Sequence, residues 1–82
     1  MRVIGLDVHR SFAQIAILDR GVVKDHGRFA MEHDAVLNFA KGLDKEDDVV
    51  LESTVNTAVI VRLLSLFVRR VVVANPLQVR AI

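Results

Sequence analysis

The order of apolar patterns predicts an α/β fold: one mixed sheet laid down as strand, strand, strand, helix, strand, helix, strand. Three observations point there. Residues 2–29 hold three short apolar segments separated by two turn signals. The apolar period then lengthens to that of a helix over 33–43. Two later valine-rich runs, at 49–51 and 71–74, flank a second helical stretch. At 82 residues the chain makes one small domain, or part of one, with a modest core.

Arg2–Leu6 is a short apolar run that suits a central strand covered on both faces. Phe12–Leu18 is a second strand, and Asp19-Arg20-Gly21 turns it into a third. The third strand, Val22 to Phe29, alternates loosely, with Val23, Asp25, Gly27 and Phe29 on one face. Short turns make the three an antiparallel meander.

Val36, Leu37, Phe39, Ala40 and Leu43 then recur at helical spacing. Asp34 stands at the favourable end of the helix dipole, and Lys41-Gly42 gives a stop. Asp44-Lys45-Glu46-Asp47-Asp48 reads as a solvated connection. Val49-Val50-Leu51 is a buried strand that ends in Glu52. Ser53 or Thr54 can cap a helix over 55–68, which is apolar on most sides and so requires cover on more than one face. Arg69-Arg70 lead into a final buried strand, Val71–Ala74. Asn75-Pro76 then turns the chain into a new helix with Pro76 in its first turn.

Composition excludes several classes. The chain is 52% apolar and 26% charged, which is neither disordered nor membrane-like. No apolar run reaches the roughly 18 residues of a bilayer span, since Arg62 and Ser65 interrupt the longest. Asp7 and His9 break the place where a secretory leader would lie. The absence of cysteine excludes disulfide scaffolds and thiolate metal sites, and a cytoplasmic location is expected. A net charge of +1 leaves no electrostatic footprint for nucleic acid.

The stretch Val3-Ile4-Gly5-Leu6-Asp7 poses the functional question, because an apolar strand ends in a carboxylate whose only close basic neighbours are His9 and Arg10. The strand before Glu52 repeats the pattern. If the two strands are parallel neighbours, both acids meet at one sheet edge, where open α/β sheets bind ligands. Paired carboxylates repel, and a hard divalent cation such as Mg²⁺ or Mn²⁺ removes that repulsion. Two such ions suit phosphodiester chemistry, one activating a hydroxyl and the other stabilising the leaving oxygen. On residue types alone the alternative stays open that both acids only form turns or cap helices.

Three segments together, "VIGLDVHRSFAQIAIL", "VVLESTVNTAVIVRLL" and "VVVANPLQVRAI", resemble the start of the DEDD-type transposases of bacterial insertion sequences. The likeness covers residues 1–82. It implies a ribonuclease H-like domain, similar to Holliday-junction resolvases and cut here before its next helix. It further implies that Asp7 and Glu52 are the first two catalytic acids of a tetrad, both ligands of Mg²⁺ or Mn²⁺. In that family two more aspartates follow the Asn-Pro segment, and a second domain carries a nucleophilic serine. The 82-residue chain is therefore expected to hold half a metal site, to bind the ion weakly or not at all, and to be inert alone. DNA, and a guide RNA, are the partners the resemblance implies for the complete protein. One departure is Ser53-Thr54-Val55-Asn56, where the family often has Ala-Thr-Gly and an aromatic residue.

Other residues attract plainer readings. His9 is a turn histidine that could support a metal shell, whereas His26 and His33 read as surface. Arg69, Arg70 and Arg80 could meet a nucleic-acid backbone but suit simple solvation, so no nucleic-acid-binding residue is singled out. Asp19 and Asp25 are turn and strand-surface acids. Two rival functions remain. Sugar-kinase and actin-like ATP-binding domains also open on a strand ending in aspartate, but usually place glycine and a hydroxyl residue just after it, unlike Val8-His9-Arg10. A non-catalytic association module would pair through a sheet face left without a helix, giving a homodimer or larger.

Overall fold

A computed structural model describes residues 2–53 and 55–74. Its elements are β1 (Arg2–Val8), β2 (Phe12–Asp19), β3 (Val22–Ala30), α1 (His33–Lys41), β4 (Asp48–Ser53), α2 (Ala58–Leu64) and β5 (Arg70–Ala74). The five strands form one mixed sheet in the order β3-β2-β1-β4-β5. β1 pairs antiparallel with β2, and β2 with β3; β1 with β4 and β4 with β5 are parallel. The predicted α/β fold and element order are present. Thr54 as a cap, the Asn75-Pro76 turn with its helix, and Arg80 lie outside the described residues.

Local chemistry explains the two hairpins. At the first, the His9 amide donates to the Phe12 carbonyl at 2.8 Å, leaving Arg10 and Ser11 at the tip. At the second, Arg20 and Gly21 have φ of 54° and 79°. Two successive residues with positive φ match the right-handed twist of the flanking strands.

Side chains alternate across the sheet, and one face builds the core. Ile4, Leu6 and Val8 of β1, Ala13, Ile15 and Ile17 of β2, and Val49 and Leu51 of β4 are buried there against Val36, Ala40, Ile60, Leu64 and Val68. The opposite face carries Gly5, Asp7, Gln14, Ala16, Leu18, Val50, Glu52 and Val72, and no helix among the described residues covers it. Leu18 and Val72 are exposed there. That apolar surface is the one on which the expected self-association rests. β1 is therefore covered on one face and not on the expected two, and β5, expected as a buried strand, is a half-exposed edge strand. No described helix is long and apolar enough to cross a membrane.

Three further local expectations are corrected. In β3 the pairing steps from Gln14↔Arg28 to Ala16↔Asp25, so one extra residue sits in β3. This bulge, with Gly27 at φ 80°, reverses the alternation beyond it. Phe29 consequently leaves the face of Val23 and Asp25 and stacks on Phe39 of α1, ring centroids 4.6 Å apart. Second, α2 is shorter than the 55–68 run. Asn56 Oδ1 accepts from the Ala58 amide at its start, and the Ser65 hydroxyl donates back to the Val61 carbonyl at its end. Ser53 instead accepts from the Val55 amide at 3.0 Å.

The third correction concerns the acidic run before β4. Asp44, Lys45 and Glu46 are exposed, but Asp47 and Asp48 are buried. Asp47 takes two hydrogen bonds from the Arg2 guanidinium, at 3.0 and 2.7 Å, and one from the Asp44 amide. Burial alone pushes the Asp47 carboxyl up, but the bonds from Arg2 and the Asp44 amide outweigh it and hold it below the usual carboxylate range. Asp48 is held down chiefly by hydrogen bonds from Arg69, at 2.8 and 2.6 Å, against an opposing effect of burial. Arg70 approaches the same carboxylate at 3.4 Å. These pairs lock the starts of β1, β4 and β5 at one rim, opposite the rim where Asp7 and Glu52 stand.

Candidate functional site

Parallel pairing of β1 with β4 sets Asp7 directly beside Glu52. Residues paired across a sheet share a face, and neighbouring strands lie about 4.8 Å apart. Both acids are exposed on the face away from the helices, near the carboxyl ends of their strands. The geometry that the two strand-terminal acids required is thus met. It follows from sequence in two steps: β1 must pair with its own hairpin on one side, and the strand returning through α1 fills the other.

Both acids line an open groove of about 440 Å³, with Gly5, Gln14, Ala16 and Val50 along its floor. The small residues Gly5 and Ala16 leave the space, and the two acids with Asp25 give it negative character. Two carboxylates are hard oxygen donors, suited in kind to Mg²⁺ or Mn²⁺. Among the described residues no group of three or more His, Cys, Asp or Glu is placed to hold a metal. Asp7 and Glu52 are two such donors, fewer than a full coordination shell requires.

His9 is not simply solvated. Its Nε2 lies 3.1 Å from Asp7 Oδ2, and its ring stacks on Phe12 with centroids 4.6 Å apart. The guanidinium carbon of Arg28 in turn lies 4.7 Å from the centre of the Phe12 ring. His26 and His33 are exposed, as expected. Arg69 and Arg70 bind Asp48 at the far rim, away from the acid pair.

Sequence reasoning missed two residues that stand in register with the acids. Gln14 pairs with Asp7 across β1 and β2, and Arg28 pairs with Gln14 across β2 and β3. The signal for Arg28 is the run Asp25-His26-Gly27, because a glycine inside a strand marks a bulge that shifts the face of everything after it.

No protein-family model and no curated protein matches this sequence. Among solved structures, the chain is similar to a Bacteroides thetaiotaomicron protein with an actin-like ATPase fold and unknown function. The TM-score is 0.71 at 16% identity, covering 98% of this chain and 36% of that one. It is also similar to Archaeoglobus fulgidus Pelota, with a TM-score of 0.56 at 14% identity, covering 90% of this chain and 26% of that one. The chain thus spans about a third of the first structure and a quarter of the second. At these identities the likeness is one of fold.

Proposed function

We propose that this chain is the amino-terminal part of a DEDD-type transposase, with Asp7 and Glu52 as the first two acids of a Mg²⁺-dependent site acting on DNA strands. The observation that supports the reading most is the register pairing of Asp7 with Glu52 on neighbouring parallel strands. A divalent cation bound there would activate the attacking hydroxyl, and a second would stabilise the leaving oxygen of a phosphodiester. The chain's own residues prepare the place. His9 binds one oxygen of Asp7 and fixes the carboxylate's direction. Glu52 adds a second oxygen donor from the next strand, and the groove beside them stays open along Gly5 and Ala16.

A second reading is an ATP-binding domain, favoured by the fold likeness to the actin-like ATPase neighbour. The groove volume lies within the ~300–1,000 Å³ of small-ligand pockets. Against it stands the first hairpin, where His9, Arg10 and Ser11 follow the aspartate strand without a glycine to admit phosphates to the backbone.

Calorimetric titration in Mg²⁺ separates the two. Branched DNA is expected to bind and ATP is not, and Asp7→Asn or Glu52→Gln is expected to remove the Mg²⁺-dependent part of DNA binding. Saturable ATP binding with no response to branched DNA would replace the transposase reading by the nucleotide one.

A further inference from the structure

One row of residues crosses the whole sheet at the level of the acid pair. From β5 to β3 it runs Ala74, Glu52, Asp7, Gln14, Arg28, each paired in register with the next. Registered partners share a face, so acid, acid, amide and guanidinium stand in sequence along one rim. With strands about 4.8 Å apart, Arg28 springs from a backbone position roughly 10 Å from that of Asp7.

Arg28 is in this row because of the bulge. Regular pairing onward from Ala16↔Asp25 would bring Gly27 opposite Gln14 and turn Arg28 to the helix-covered face. The extra residue is absorbed at Gly27, whose amide donates to Asp25 Oδ1 at 2.7 Å. Gly27 has φ 80°, a conformation that a residue with a side chain adopts only at a cost. One inserted residue therefore does two things: it sends Phe29 to the core and Arg28 to the rim.

The guanidinium is also held. It lies over Phe12, whose ring stacks on His9, and His9 reaches Asp7. Among the described residues no carboxylate lies within ion-pair distance of Arg28. An exposed arginine oriented by an aromatic ring keeps its fork of donors for a planar or tetrahedral oxyanion, a carboxylate or a phosphate.

We propose that Arg28, assisted by Gln14, grips a phosphate of a DNA strand next to the phosphate that faces Asp7 and Glu52. The proposal rests on the reading of those acids as a DNA site. It fits a polyanion, whose successive phosphates can meet the acid-held cation and the guanidinium together. Arg28 thereby sets the direction in which the strand crosses the rim, from β4 toward β3.

The test is duplex DNA binding by the chain in Mg²⁺ over a series of low salt concentrations. Arg28→Ala is expected to weaken binding about five- to tenfold and to flatten the slope of log affinity against log salt by about 0.9, the loss of one phosphate contact. Arg28→Lys keeps the charge and is expected to restore the slope. Arg62→Ala, an exposed arginine on α2, is the control and is expected to change neither quantity. Wild-type binding that needs Asp7 and Glu52, with an unchanged slope in Arg28→Ala, overturns the role of Arg28 and leaves the acid site standing. If duplex DNA does not bind while Mg²⁺-ATP binds in an Arg28-dependent way, the phosphate belongs to a nucleotide, and both the role and the DNA reading fail.

Discussion

Replacing Asp47 with alanine is expected to lower the unfolding free energy by about 2–3 kcal/mol. The carboxylate is 2% exposed and receives two bonds from Arg2 and one from the Asp44 amide. Removing it strands three donors at once. Breaking a fully buried ion pair costs about 3–5 kcal/mol, but here water reaches the 32%-exposed Arg2 guanidinium and softens the loss. Asp47→Asn keeps an acceptor for the Asp44 amide and is expected to cost less. Urea denaturation of the two variants beside the wild type checks the order; equal stability of all three would mean that the bidentate pair contributes nothing net.

The same residues set the acid sensitivity. Asp47 and Asp48 both have carboxyls held below the usual range in the folded state. The unfolded chain binds protons more readily at these two positions. Their contribution is therefore present above the ordinary carboxylate range, near pH 4, and lost as pH falls below it. The urea midpoint is expected to fall as pH drops from about 4 through the lowered folded-state range, and to fall less in Asp47→Ala.

Leu51→Ala is expected to cost about 3–4 kcal/mol. Leu51 is 0% exposed on β4, a strand flanked by β1 and β5, and its side chain faces the helices. Truncation removes buried apolar area and leaves a cavity that a sheet pinned on both sides closes poorly. A domain of this length has a total stability of roughly 4–12 kcal/mol, so much of it is at stake. Leu66→Ala, at a site 75% exposed, is expected to fall within about 0.5 kcal/mol of wild type. Comparable losses at the two leucines would show that burial at Leu51 is not what holds the sheet.

The strand and helix order was legible because the apolar period changes from two to nearly four and back. The acid pair was legible for a related reason: a hairpin occupies one flank of β1, so the next strand to return from a helix takes the other. The bulge was not legible from alternation, because its effect depends on Phe29 finding Phe39, a contact between distant elements. Burial of Asp47 was hidden for a similar reason. A run of charged residues looks solvated, and the guanidinium that neutralises Asp47 lies 45 residues away. The length of α2 was misread because its apolar residues continue past the end; Ser65 folding back on Val61 and the turns that follow stop it. Arg28 inherits the obscurity of the bulge that places it.

The claim beneath the proposed function is that Asp7 and Glu52 together face one divalent cation. Adding Mn²⁺ to isotope-labelled protein and recording which backbone amide signals broaden tests this directly, since the paramagnetic ion acts on its neighbours even when weakly bound. The expected result is selective broadening at Asp7, Glu52 and Gln14, with Arg2 and Asp48 at the far rim sharp. It should vanish in both Asp7→Asn and Glu52→Gln. Broadening centred elsewhere, or persisting unchanged in the two variants, would contradict the shared site.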